Sequence, residues 1–111
     1  MIDILMVIDI IQNMDKVYKA LAEINRRKII FWLGQGEMNV GQIVKKLNLT
    51  QATVSNHLMV LRKSGLVEYR VLGKERIYKI NRENVNNFVK ELNRLVFFEK
   101  QNPIDEIIIR R

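Results

Sequence analysis

The segment from Thr50 to Leu66 constrains this chain more than any other, because it reads as a capped helix with two unlike faces. At about 100° per residue, Val54, Leu58 and Leu61 fall in one narrow sector, while Ala52, Asn56, Met59 and Lys63 fall opposite. One side must pack and the other is free for a partner. Thr50 is placed to cap the first turn, and Gly65 to end the helix in a left-handed conformation. The outer side is small, polar and uncharged until Arg62 and Lys63, which suits a surface that slides between base edges. An ordinary amphipathic surface helix shows the same pattern, so this stretch takes its meaning from its neighbours.

The residues before it supply a second helix. Asn39 followed by Gln42 forms a capping-box pattern, opening a short helix whose Val40, Ile43, Val44 and Leu47 point inward and whose Lys45 and Lys46 point out. Asn48-Leu49-Thr50 then makes a three-residue turn, and the whole reads as a helix-turn-helix unit. After Gly65 the apolar period changes to two. Val67 to Leu72 and Glu75 to Ile80 read as strands around Gly73-Lys74, a dipeptide suited to a type II′ turn. That loop sets Val67 opposite Ile80, Tyr69 opposite Tyr78 and Val71 opposite Arg76. On the other face it pairs Glu68 with Lys79, whose opposite charges support the register. The tip presents Arg70, Lys74 and Arg76. A basic hairpin directly after a helix-turn-helix reads as a wing, although cationic tips are also a common solubility device.

Apolar helices flank this unit. Ile4, Val7, Ile8, Ile11, Met14, Val17, Tyr18 and Leu21 recur at three and four, predicting a helix from roughly Asp3 to Glu23, with Asn13 and Asp15 as candidates for a break. Ile2, Leu5, Met6 and Ile10 widen its apolar surface beyond the needs of one monomer, which points to a partner surface. Asn25 is placed to cap a second helix that carries Ile29, Ile30 and Leu33 inward and is ended by Gly34 and Gly36. Its first turn, Arg26-Arg27-Lys28, opposes the helix macrodipole by roughly 0.3–1 kcal/mol per cation, so a compensating anion such as Glu23 or a phosphate is expected, with at least one of the three cations simply solvated. Asn81 is placed to cap a last helix with Val85, Phe88, Val89, Leu92, Leu95 and Val96 in one stripe, overflowed by Phe97 and Phe98. Pro103 ends the regular part. Ile104 to Ile109 form an apolar tail that reads as a strand or turn packed on a dimer, or as a partner-binding segment.

Composition limits the function classes. With 111 residues the chain is one domain by length. Nineteen Lys and Arg against twelve Asp and Glu give a net charge of +7 and a pI of about 9.9, which favours a polyanionic partner such as nucleic acid or an anionic membrane. Asp3, Asp9 and Asp15 are the only charges in the first fifteen residues, so nineteen cations face nine anions over the rest. The lack of cysteine excludes disulfides and thiolate metal sites, and the single histidine excludes a multi-histidine site within one chain. Met1 to Ile11 lacks a basic leader, contains two aspartates and is far too short to span a membrane, so a soluble, cytoplasmic, nucleoid-associated protein is expected. A lone histidine with no glycine-rich phosphate loop and no carboxylate cluster leaves no catalytic constellation. Neither enzymatic activity nor a cofactor is expected.

The order of elements, joined to particular residues, resembles the ArsR/SmtB family of dimeric winged-helix repressors. The resemblance runs through Lys19-Ala20-Leu21-Ala22, Arg26 to Leu33, Leu49 to Leu58 with Leu61, Gly65-Leu66-Val67, and Gly73-Lys74 with Tyr78. It covers nearly the whole chain, and Thr50 to Val67 is its specific part. The resemblance implies a homodimer built by the first and last helices, the same two that carry excess apolar surface. It also implies that Gln51, Thr53, Ser55, Asn56 and His57 approach major-groove base edges while wing residues lie on the flanking backbone. The amides of Gln51 and Asn56 can pair bidentately with adenine. His57 sits about 60° from the apolar centre of its helix, which leaves both a packing role and a DNA contact open. Met59 is open between a thymine-methyl contact and plain surface. Three departures bear on mechanism. Family members that sense thiophilic metals carry cysteines where this chain has Asn39-Val40-Gly41; residues 82–101, where others bind zinc between the last helices, hold no histidine or aspartate; and Glu23-Ile24-Asn25 replaces the usual Asp-Pro-Thr turn.

The reading is therefore a single, mainly α (α+β) winged helix-turn-helix domain over residues 1–111, with 1–23 and 82–101 as dimerisation helices and 102–111 as a C-terminal tail. It is expected to be a sequence-specific dimeric regulator of transcription, a repressor without a metal or redox sensor and with an unknown inducer. Double-stranded DNA should meet Gln51, Ala52, Thr53, Ser55, Asn56, His57, Met59, Arg62 and Lys63 on the recognition helix, with Arg70, Lys74, Arg76, Lys45 and Lys46 on the backbone. Ile4, Leu5, Ile8, Ile11, Phe88, Leu92, Leu95 and Val96 should form the dimer interface. The competing reading is a winged-helix module that docks onto another protein and binds DNA weakly or not at all.

Overall fold

A computed structural model describes residues 3–97. In chain order they form α1 (Ile4–Leu21), α2 (Ile24–Gln35), β1 (Met38–Asn39), α3 (Val40–Leu47), α4 (Gln51–Lys63), β2 (Val67–Leu72), β3 (Glu75–Ile80) and α5 (Arg82–Phe97). The apolar side of α4 is the centre of packing. Val54, Leu58 and Leu61 are fully buried among Val17 and Ala20 of α1, Ile29 and Leu33 of α2, Ile43 of α3, and Leu66, Val67 and Tyr78 of the hairpin. Each such side chain contributes about 1.5–3 kcal/mol by leaving water.

The helix ends show which local signals prevail. Thr50 Oγ1 accepts the Thr53 N–H at 3.2 Å at the start of α4, and Gly65 follows its end with φ +87. The capping box of α3 is complete: Asn39 Oδ1 accepts the Gln42 N–H at 2.8 Å and Gln42 Oε1 accepts the Asn39 N–H at 2.9 Å. Asn48 ends α3 in the left-handed region at φ 54, a position a short polar side chain tolerates, and so turns the chain into Thr50.

Three expectations are corrected at the first helices. The first helix is continuous through Asn13 and Asp15, where Asp15 instead pairs with Lys19 one turn on at 3.1 Å, and it ends at Leu21. The cap of α2 is Glu23 rather than Asn25, which lies inside the helix; the Glu23 carboxylate accepts the Arg26 N–H at 3.0 Å. Gly34 also falls inside α2, with Gly36 as its C-cap. The basic first turn of α2 is stabilised from both sides. Glu23 supplies the anion, and the guanidinium groups of Arg26 and Arg27 donate to the carbonyls of Ala20 (2.6 Å), Lys19 (3.1 Å) and Leu21 (2.7 Å) at the end of α1. The cations that oppose one helix dipole thus complement the negative end of another.

The hairpin has the expected register, with Val67 opposite Ile80, Glu68 opposite Lys79, Tyr69 opposite Tyr78 and Val71 opposite Arg76. Gly73 takes φ +63 while Lys74 keeps an ordinary φ, as a type II′ turn requires. A third strand joins them. β1 pairs antiparallel with β3, setting Met38 opposite Tyr78 and Asn39 opposite Ile77, so the sheet order is β1-β3-β2. Two residues are too few to show an alternating pattern in sequence. α5 opens on Asn81, whose Oδ1 accepts the Asn84 N–H at 3.0 Å, and Asn84 in turn donates to the Gly65 carbonyl at 2.9 Å, tying α5 to the end of α4.

Much of the apolar surface of α1 and α5 is left uncovered in the single chain. Only Met14, Val17 and Ala20 of α1 are buried, and no described residue of α5 is. Ile4, Leu5, Ile8 and Ile11 lie exposed on α1, as do Val89, Leu92, Leu95 and Val96 on α5. The two helices meet through an edge-on contact of Tyr18 with Phe88, ring centroids 5.7 Å apart. Phe98 and the tail at 104–109 lie outside the described residues, as does the end of the helix expected over 82–101.

Candidate nucleic-acid interface

Packing Val54, Leu58 and Leu61 inward determines which side of α4 is left outside. Gln51, Ser55, Met59 and Arg62 recur at three and four along one flank, and this flank faces the start of α3 and the wing. An open groove of about 720 Å³ lies between them, lined further by Lys45 of α3, Lys74, Glu75 and Arg76 of the wing, and Tyr78. Four cations and one carboxylate line a groove whose floor is the uncharged polar face of a helix. Ala52, Asn56 and Lys63 continue the exposed face of α4 beyond the groove, and Thr53, also exposed, accepts the Thr50 hydroxyl at 2.8 Å.

Side chains from three elements orient the groove's edge. The sheet pleat places Tyr69, Tyr78 and Arg76 on the face that carries Val67 inward, so the row that begins in the core ends at the groove. The Arg76 guanidinium lies 4.6 Å from the Tyr69 ring centroid, and Arg62 of α4 approaches the same ring at 5.8 Å. Hydrogen bonding to Tyr78, and then the nearby Tyr69, raise the affinity of Arg76 for its proton above the ordinary arginine value. At the opposite rim Asn39 Nδ2 donates to both Glu75 carboxylate oxygens at 3.4 Å, joining the start of α3 to the wing. Asn39, the cap of α3, and Gly41 in its first turn both line the groove.

Three expected contact residues point elsewhere. Arg70 donates to Glu37 at 2.6 Å, so its charge is paired away from the groove. Lys46 lies over the Trp32 ring at 4.6 Å. The His57 side chain, 13% exposed, faces Glu23, with Nε2 3.8 Å from a carboxylate oxygen and Nδ1 buried without a hydrogen-bond partner among the described residues. His57 is not among the residues that line the groove. The residues that sequence reasoning missed are Asn39, Gln42, Glu75, Tyr69 and Tyr78. Glu75 was legible only as a strand residue, and the stacking of arginines on Tyr69 has no signature in residue spacing.

Similarity to known proteins agrees with this geometry. The family model described as "Bacterial regulatory protein, arsR family" matches residues 24–69, from α2 into β2. The HTH-type transcriptional regulator Rv2034 of Mycobacterium tuberculosis is 36% identical over 67 residues, 60% of this chain; the match spans only 63% of Rv2034. The transcriptional repressor SdpR of Bacillus subtilis is 31% identical over 68 residues, 61% of this chain and 76% of SdpR. The transcriptional activator HlyU of Vibrio cholerae is 34% identical over 77 residues, 69% of this chain and 71% of HlyU. The solved structure of that HlyU superposes with a TM-score of 0.64, covering 76% of this chain and 91% of HlyU at 31% identity. The homodimeric winged helix-turn-helix DNA-binding domain of Mb0332 of Mycobacterium bovis superposes with a TM-score of 0.66, covering 82% of this chain and 83% of that 100-residue fragment at 34% identity. Five helices with a hairpin wing between α4 and α5, together with these matches, establish that the chain belongs to the ArsR family of winged helix-turn-helix transcriptional regulators, which are not enzymes.

Proposed function

We propose that the chain is a homodimeric, sequence-specific DNA-binding protein that represses transcription by occluding its operator. The observation that carries this reading is the groove in which the polar flank of α4 lies beside Lys45, Arg62, Lys74 and Arg76. A helix presenting amide, hydroxyl and methyl-sized groups can enter a major groove and read base edges. Cations on either side can settle on the phosphates that flank it. The reading face is Gln51, Ala52, Ser55, Asn56 and Met59, with Arg62 and Lys63 toward the backbone; His57, Arg70 and Lys46 are left out of it.

The exposed apolar residues of α1 and α5 supply the surface for a second copy. A two-fold dimer would present two recognition helices to half-sites about one helical turn apart, roughly 34 Å. Mb0332 is described as homodimeric, which supports the same assembly here. Relatives include an activator, HlyU, and a repressor, SdpR. Repression is the simpler reading, since occlusion needs only a bound dimer.

Selection of bound duplexes from a random pool, followed by transcription in vitro from a promoter carrying the selected site, tests each part. A palindromic site and reduced transcript are expected. Enrichment with raised transcript would make the protein an activator, and no enrichment at low salt would favour a protein-docking module.

A further inference from the structure

The groove edge holds an arrangement that general wing chemistry does not require: two arginines from different elements on one aromatic ring. Arg62 is in the last turn of α4 and Arg76 is on β3, yet their guanidinium carbons lie 5.8 Å and 4.6 Å from the centroid of Tyr69 on β2. Two like charges brought together without an anion repel, and long side chains lose rotamer freedom when held. The π-face of a tyrosine offsets both costs, because its quadrupole attracts each cation. Tyr69 is itself held. It is half-buried, stands directly opposite Tyr78 in the sheet, and packs against that buried ring at 5.3 Å and 47°. Among the described residues neither arginine has a carboxylate within ion-pair distance, unlike Arg70 and Arg94. Both line the groove outside any such ion pair.

Resting on the DNA-binding reading above, we propose that Tyr69 is a positioning residue that holds Arg62 and Arg76 as a pre-organised pair for the sugar-phosphate backbone. The pair joins recognition helix to wing, so the helix cannot dock without the wing arginine arriving in register. Holding both side chains before binding lowers the entropy lost on contact. The ring, and not the hydroxyl, does this.

The test compares the parent with Tyr69→Phe and Tyr69→Val; valine suits a strand, and thermal melting confirms that each variant folds. The first measurement needs no DNA. Ring-current shifts of the Arg62 and Arg76 side-chain protons should appear in the parent and in Tyr69→Phe; in Tyr69→Val they should vanish for Arg62 and shrink for Arg76, which keeps its hydrogen bond to Tyr78. The second is affinity for a random-sequence duplex across a salt series. Tyr69→Phe should bind within about two-fold of the parent, and Tyr69→Val roughly five- to thirty-fold more weakly, the loss two exposed cation–π contacts allow. The slope against salt should stay as in the parent, because no charge has been removed. Tyr69→Val binding as tightly as the parent, or Tyr69→Phe losing as much as Tyr69→Val, would overturn the assignment. Absent ring-current shifts in the parent would overturn the stacking itself. Clear shifts in a parent that binds no duplex at low salt would instead overturn the DNA-binding reading, and the role given to the pair with it.

Discussion

Replacing Ile8 by glutamate tests the assembly on which the half-site geometry depends. Ile8 is on α1 and 42% exposed in the single chain, so the substitution adds a carboxylate to water and leaves the core of Val17, Ala20 and Leu58 untouched. The monomer should keep its fold within about 0.5 kcal/mol. In a two-fold dimer the position occurs twice. Burying a whole isoleucine side chain is worth about 1.5–3 kcal/mol, so covering the exposed 42% contributes about 0.6–1.3 kcal/mol per protomer and about 1–2.5 kcal/mol per dimer. Each introduced carboxylate would also lose water at the interface without a partner, adding at least about 1 kcal/mol. Together the loss should reach about 3 kcal/mol or more, a rise in dimer Kd of at least about 100-fold. Sedimentation equilibrium reads this constant directly, and circular dichroism reports the helix content of the monomer. Binding to a palindromic site should fall further than binding to a single half-site, because the second contact is no longer intramolecular. A dimer constant within three-fold of the parent would refute the assignment of this face to self-association.

Further outcomes follow from the groove and the core. Neutralising Lys74 and Arg76 together should lower affinity for all sequences and reduce the salt slope by about 1.8 per protomer, about 3.6 for a bound dimer, and an unchanged slope would remove the wing tip from the contact surface. Asn56→Ala should relax preference at one position per half-site by roughly 1–3 kcal/mol, measured by competition between single-base variants of the selected site; equal discrimination in both proteins would place the reading face elsewhere on α4. Leu58→Ala should destabilise the fold by about 2–5 kcal/mol in urea unfolding, since Leu58 is fully buried at the centre of the core, and a cost below 1 kcal/mol would mean that the core is not organised around α4.

Legibility in the sequence followed the range of the forces involved. The α4 caps, the α3 capping box and the hairpin register involve residues a few positions apart, and each was readable from spacing alone. The junction of α1 and α2 was not. Asn25 has the stronger intrinsic preference for a cap, but Glu23 occupies that place because Arg26 and Arg27 reach back to the carbonyls of Lys19, Ala20 and Leu21 and start the helix earlier. β1 escaped notice because its two residues are a strand only by virtue of Tyr78 and Ile77 beside them. Among the expected contact residues, Lys45, Gln51, Ser55, Met59, Arg62, Lys74 and Arg76 converge on one groove. Arg70, Lys46 and His57 do not, each drawn off by a partner distant in sequence: Glu37, Trp32 and Glu23.

The sequence by itself determined the element order, the inner and outer sides of the recognition helix and the pairing of the wing, because periodicity, caps and turn residues act over one or two turns of chain. Only the tertiary structure decided which outer residues share a groove, that His57 turns toward Glu23, and that one arginine of α4 and one of β3 rest on one tyrosine. A charge or a ring has no fixed partner until the elements pack. The surface α4 offers to a partner is settled by its neighbours as much as by its own residues.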